Sequence, residues 1–159
     1  MSSIKTLYLI RHSKADFPSD GITDFERPLT QQGVSDSHCI ALKLSAAKVE
    51  WDLVISSPAF RAVNTAIIFS KELGFPASQI LLNENLYESG VRDYLQVANT
   101  IGDEVKSAAI FGHNETISEF VTYLTGKIAD FPTSGVAIIS ISTSWSEITG
   151  GAADLTGQY

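Results

Sequence analysis

The amino-acid sequence predicts an α/β fold, a three-layer α/β/α sandwich with a mainly parallel central sheet, built as one domain over residues 1–159. Three observations predict it. Short apolar runs rich in β-favouring residues alternate with segments whose apolar residues recur at helical spacing. No Pro/Gly-rich linker and no internal repeat interrupts that alternation. A chain of 159 residues is the size of one average domain, and two independent cores would each be small.

Residues 4–10 carry Ile, Tyr and Leu in a compact run and form the first predicted strand. Residues 31–48 are the first helical segment, the least regular of four. Residues 53–56 make a short buried strand, followed by a helix marked by Val63, Ala66, Ile67 and Leu73. Residues 80–82 supply the third strand, also short and buried, and Leu95, Ala98, Ile101 and Val105 mark the third helix. Residues 108–111 are the fourth strand, Ile117, Phe120, Val121 and Leu124 mark the fourth helix, and residues 136–141 are the fifth strand. In the tail, residues 145–148 are expected as an edge strand followed by a Gly150-Gly151 turn. The stretch ADFPSDGITDFERPLTQQG is the one long loop, and loops of that length are often functional.

Composition excludes several classes of function. The net charge of −7 argues against broad binding to nucleic acid or an anionic membrane, since both need a basic surface. A positive cluster in such a chain is local and suits a small anion. The single cysteine, Cys39, rules out an internal disulfide framework, and three scattered histidines give no zinc spacing. The N-terminus lacks a signal-peptide apolar stretch and no segment approaches the roughly 20 apolar residues that span a bilayer. The expected setting is the cytoplasm.

In open α/β sheets, ligands bind outside the carboxyl ends of the strands, and three of these ends carry charge or histidine. Arg11 and His12 follow the first strand. SSPAFRAVNTA follows the second, where Ser57 suits an N-cap and Pro58 the first helical position. Arg61 then lies about one turn into the helix, at the end where the macrodipole disfavours a cation. FGHNE follows the fourth, with Gly112 permitting a tight turn, His113 at its crest and Asn114 placed to cap the next helix.

If those three strands are neighbours, two arginines and two histidines converge on one crevice, to which helix N-termini add N–H donors. A planar guanidinium grips two phosphoryl oxygens, and each charge-assisted hydrogen bond is worth roughly 1.5–3 kcal/mol. Arginine rather than lysine at both positions favours that grip. A neutral imidazole is a competent nucleophile for phosphorus, and flanking guanidinium groups oppose its protonation. These residues read as phosphoryl transfer through a phosphohistidine, with the arginines stabilising charge on the equatorial oxygens. No Walker-type loop, Gly-rich nucleotide fingerprint or metal-ligand spacing is present, so no cofactor and no metal are expected.

The segments LIRHSKAD, RPLTQQG, SSPAFRAVNTA, LYE and FGHN occur in the order and rough spacing of the histidine phosphatase, or phosphoglycerate-mutase-like, superfamily. The chain resembles that superfamily over about residues 6–141. It is most similar to the small SixA-like phosphohistidine phosphatases, a likeness that FPTSGVAIISI extends. The resemblance implies a phosphoglycerate-mutase-like fold, His12 as the nucleophile, and Arg11, Arg61 and His113 completing the phosphate pocket. Glu88 of LYE stands near where larger relatives carry the proton donor, and it is either that donor or a solvated loop carboxylate. Ser13 stands where many relatives have glycine, and Asn114-Glu115 where SixA-like chains often have Asn-Pro; neither departure removes a catalytic group.

Between Leu86 and Val105 there is room for a loop and one helix only, so the site is expected to be open to a phosphorylated side chain of another protein. The resemblance then implies phosphohistidine on a protein as the substrate. A P–N bond to imidazole also needs less help from a general acid than an alkyl ester does. The alternatives are a phosphomonoesterase acting on a small-molecule ester and a phosphate-binding module without turnover. His12 and His113 argue against the module, because binding alone needs no nucleophile.

Other reactive residues have plainer readings. His38 shares a helical face with Val34 and Ala41 and reads as partly buried and structural. Cys39 is not a phosphatase nucleophile, because the arginine that such a loop needs six residues later is Ser45. Lys14 reads as an exposed lysine or as positive potential at the pocket rim, Asp16 and Asp20 as solvated loop acids or as residues that shape the entrance, and Phe60 and Phe120 as core.

Overall fold

The structure, a computed structural model, describes residues 3–159. The chain runs β1 (Lys5–Arg11), α1 (Gln31–Ala46), β2 (Leu53–Ser56), α2 (Phe60–Leu73), β3 (Leu81–Leu82), α3 (Val91–Asn99), β4 (Ser107–Gly112), α4 (Thr116–Thr125), β5 (Val136–Ile141) and β6 (Ala153–Gln158). Its strands form one sheet in the order β3-β2-β4-β1-β5-β6. β1, β2, β3 and β4 run parallel, β5 is antiparallel to β1, and β6 is antiparallel to β5. Five strands therefore point one way and β5 alone opposes them.

Alternation along β1 divides the core. Leu7 and Leu9 pack with Tyr94 and Val97 of α3 and with Ile117 and Phe120 of α4. Tyr8 and Ile10 face the other side, with Ala41 and Leu44 of α1 and Ala66 and Phe69 of α2. Helices on both faces of a sheet buried on both sides give the three layers. Among the described residues no helix is long and apolar enough to cross a membrane.

The tail departs from expectation. Residues 145–147 form a 3-10 turn, and the edge strand is β6, after the Gly150-Gly151 turn. Trp145 is fully buried, its indole N–H donates to the Val105 carbonyl at 2.8 Å, and its own carbonyl accepts from Asn99 Nδ2 at 2.8 Å. Those bonds anchor Trp145 to the core and release the more polar ADLTGQ to pair with β5. α3 also stops early, at Asn99, although Ile101 remains buried and Val105 half-buried. The apolar period continues because the loop packs on the same core that the helix does.

Other local expectations also shift. β3 is not buried: Leu81 and Leu82 are both exposed, because β3 is the outermost strand of the sheet and pairs with β2 alone. α2 begins at Phe60, with Ala59 in the N-cap position, and Ser57 Oγ instead accepts from the Ala59 N–H at 3.3 Å. Phe60 itself is 45% exposed, beside the site rather than in the core. Gly112 ends β4 without a positive φ. Its lack of a side chain makes room for the Tyr94 hydroxyl, which a Cβ there would strike.

Candidate active site

Strand order decides which side chains meet. β2, β4 and β1 are adjacent, with Arg11 opposite Gly112 and Ser56 opposite Phe111. The His12 N–H donates to the Gly112 carbonyl at 3.0 Å and the Ser57 N–H to the Phe111 carbonyl at 2.9 Å, so pairing continues one residue past each strand. Arg11, His12, Arg61 and His113 thereby come to one crevice at the carboxyl edge of the sheet, and the His12 and His113 ring centres lie 5.2 Å apart.

The bonds of His12 identify its tautomer. Nδ1 lies 2.7 Å from the Ser13 carbonyl, which can only accept, so Nδ1 carries the proton. Nε2 receives the Arg61 Nε–H at 3.3 Å and therefore presents its lone pair. Burial pushes the ring's pKa down to about 4, against the Ser13 bond, and Arg61, Arg11 and Arg27 lower it further.

His113 is held from two sides. Its backbone N–H donates to the Tyr94 hydroxyl at 3.1 Å, which itself donates to the Leu86 carbonyl at 3.0 Å. Its Nε2 meets Ser57 Oγ at 2.8 Å. Burial, then the neighbouring His12 and Arg61, lower its pKa to about 3. Among the described residues neither His113 Nδ1 nor Arg11 Nε, both buried, has a hydrogen-bond partner, while Arg11 Nη1 donates to the Phe131 carbonyl at 2.7 Å. Asn114 caps α4 from one residue outside its N-cap, with Oδ1 accepting from the Ser118 N–H at 3.1 Å.

Arg61 is 7% exposed, and its guanidinium is shared with the long loop. Nη1 donates to the Asp24 carbonyl at 2.8 Å and Nη2 to Asp24 Oδ2 at 3.2 Å. Asp24 also accepts from the Tyr87 hydroxyl at 2.7 Å and from Arg27 Nη1 at 3.0 Å. The Tyr87 bond first, then Arg27 and Arg61, hold its carboxyl down at about 2. Burial and that same carboxylate push the Tyr87 phenol up to about 12.

Asp24, Arg27 and Tyr87 went unassigned in the sequence, although Arg27 and Tyr87 lie inside the quoted RPLTQQG and LYE segments. A signal for Asp24 was present: Thr23 and Glu26 form a capping box, marking a short turn within the loop. Asp16 takes part through its backbone, its carbonyl accepting from Arg27 Nε at 2.6 Å and its N–H donating to the Pro28 carbonyl at 2.9 Å, and Asp20 is exposed.

Glu88 is exposed, with φ at +50°, on the rim of a cavity of about 230 Å³ that Asp24, Arg61, Tyr87, His113 and Thr116 also line. His38 is half-buried and bonds to Glu72 of α2 at 3.0 Å, a structural tie between two helices. Cys39 is exposed on α1. Among the described residues no group of three or more His, Cys, Asp or Glu side chains is disposed to hold a metal.

Comparison with known proteins bears on this constellation. The family model described as the histidine phosphatase superfamily (branch 1) matches residues 7–106. Phosphohistidine phosphatase SixA of Escherichia coli is 31% identical, over 87% of this chain and 86% of its own length. An uncharacterised protein of Mycobacterium tuberculosis, Rv1276c, is 30% identical over 93% of this chain and 97% of its own. The solved structure of the protein histidine phosphatase SixA complexed with tungstate superposes with a TM-score of 0.83 at 25% identity, covering 96% of this chain and 95% of that one. A phosphoglycerate mutase from Plasmodium falciparum shares the fold, with a TM-score of 0.69 at 19% identity over 98% of this chain and 91% of that one.

Proposed function

The chain belongs to the histidine phosphatase superfamily and is a phosphatase, and from that premise we propose that it hydrolyses phosphohistidine on a protein substrate through a covalent intermediate on His12. One observation carries this reading: His12 keeps its proton on Nδ1, against the Ser13 carbonyl, and turns the Nε2 lone pair toward Arg61. A ring so arranged is a nucleophile at neutral pH without a separate base. The name of the E. coli relative supports the substrate class. The fold is phosphoglycerate-mutase-like, and we read residues 1–159 as one domain because a single sheet takes strands from Lys5 to Gln158.

In the first step Nε2 attacks phosphorus, and the P–N bond to the substrate imidazole breaks as the new one forms. Arg11, Arg61 and His113 take up the charge on the phosphoryl oxygens. The departing imidazole nitrogen takes a proton from Glu88 or from solvent. Water then attacks the phosphorylated His12, releasing inorganic phosphate and restoring the ring. This mechanism uses no cofactor. The single cysteine, exposed on α1, supports a reducing, cytoplasmic setting.

A second reading, hydrolysis of a small phosphate ester, draws on the position of Glu88 on the cavity rim, from which a carboxyl could protonate an alkoxide. Comparing turnover of a phosphohistidine-bearing protein and an aryl phosphate, in EDTA, separates the two. A preference for the protein, lost in His12→Ala, is expected. Turnover of the ester alone would move the substrate to small molecules, and wild-type activity in His12→Ala would remove the proposed nucleophile.

A further inference from the structure

Behind His12 lies a buried row of hydroxyls that phosphoryl transfer itself does not use. Ser13 and Ser37 are fully buried and Ser134 nearly so. The Ser37 hydroxyl donates to the Gly33 carbonyl, one turn back in α1, at 2.8 Å. A carbonyl only accepts, so the Ser37 proton is committed and the close contact between Ser13 and Ser37 is donated by Ser13. The Ser13 proton is then committed too, and the contact at 2.6 Å between Ser134 and Ser13 is donated by Ser134. Every proton in the row points the same way, from Ser134 through Ser13 and Ser37 to Gly33.

Residue 13 is also tied through its backbone. Its N–H donates to Thr65 Oγ1 at 2.9 Å, and the Thr65 hydroxyl donates to the carbonyl of Arg61 at 2.7 Å. The Ser134 N–H donates to the His12 carbonyl at 3.2 Å and the Arg11 N–H to the Gly135 carbonyl at 3.0 Å. Ser134 adopts φ +66°, a conformation that a non-glycine residue rarely takes. Its side chain and its N–H thus both serve the chain around the nucleophile. Residue 13 is where α1, the segment before β5 and the helix carrying Arg61 are fastened together.

We infer that Ser13 is a positioning residue for the nucleophile. Its hydroxyl, anchored between α1 and the segment before β5, fixes the peptide whose carbonyl holds the His12 Nδ1–H, and so keeps Nε2 unprotonated and aimed into the pocket. The inference rests on the reading of His12 as the nucleophile. A glycine here would keep the carbonyl but lose the side-chain anchors and gain backbone freedom. A buried hydroxyl row with every member satisfied is rigid, and removing one member leaves its neighbours unpaired.

The test compares wild type, Ser13→Ala and Ser37→Ala by two readouts. One is the ¹⁵N NMR signature of the His12 ring, which reports which nitrogen carries the proton. The other is the single-turnover rate at which phosphoramidate, a small P–N donor, labels His12. In both variants the Nδ1–H fraction is expected to fall and labelling to slow about tenfold or more, with the donor's saturation constant little changed.

Ser37→Ala leaves residue 13 intact, so it decides the matter alone if Ser13→Ala does not fold. Wild-type tautomer and wild-type labelling rate in the variants, with only the melting temperature lowered, would overturn the inference. If wild type itself never labels on His12, the functional reading fails, and the tautomer readout still judges the positioning role by itself.

Discussion

Arg61 donates its Nε–H to His12 Nε2 across 3.3 Å, so the residue that would grip the phosphoryl group also tests the protonation state of the residue that would attack it. A protonated Nε2 could not accept this bond. The cation and the proposed nucleophile are therefore matched to one charge state before any substrate arrives.

Arg61→Lys keeps the charge and loses the planar fork that now spans His12 and Asp24. Its kcat/KM on an aryl phosphate is expected to fall about a hundredfold, with the fold retained. A change within about twofold would remove Arg61 from the phosphoryl grip.

Acid should destabilise the fold through the two histidines. Their pKa values of about 4 for His12 and about 3 for His113 lie below the unfolded value near 6.5, so the unfolded chain binds more protons between these limits. Stability is then nearly level above about pH 7.5 and falls as pH drops through 6.5 toward 4 and 3. Asp24 adds a loss at lower pH, below the ordinary carboxylate range and down through about 2. Urea unfolding at a series of pH values measures this, and a slope between pH 6.5 and 4.5 unchanged in His12→Asn/His113→Asn would contradict it.

Asp24 puts a carboxylate on the same guanidinium that a phosphate must engage. Asp24→Asn removes that competitor, and inorganic phosphate is expected to inhibit about fivefold more tightly, the size of one like-charge repulsion of about 1 kcal/mol at the surface. The inhibition constant for phosphate is the measurement, and weaker inhibition would mean that Asp24 serves mainly to orient Arg61.

Glu88→Gln separates leaving groups. An imidazole needs little acid assistance, so labelling of His12 by a phosphohistidine protein is expected to stay within about twofold, whereas turnover of an alkyl phosphate falls about a hundredfold or is absent from the start. Equal losses on both substrates would assign Glu88 to binding.

What could be read from the chain beforehand follows from where its information is local. The alternation in LYLI and the helical spacing of Ile117, Phe120, Val121 and Leu124 reflect burial, and the sheet and helices follow them. The charged residues at three strand ends were legible for the same reason, because strand ends are visible in the pattern. Asp24 and Tyr87 were not legible as partners of Arg61: the Thr23–Glu26 capping box marks only a local turn, and the meeting itself depends on a loop folding across the sheet edge. Trp145 misled because the segment from Trp145 to Ile148 begins with an aromatic and ends with a β-branched residue, a composition that suits a strand, while its indole bond to Val105 is a long-range contact with no local trace.

β1, which carries Arg11 and leads directly into His12, lies between two partners that come late in the chain. Its neighbour β4 begins about a hundred residues further on and β5 later still. During synthesis from the N-terminus, the apolar run from Leu7 to Ile10 therefore waits without a strand to pair with until most of the chain has emerged, while β2 and β3 can already join. A ribosome halted before Ser107 would hold up an uncovered sticky strand, the kind of segment that chaperones protect. His12, the proposed nucleophile, is made well before the strands that set it in place.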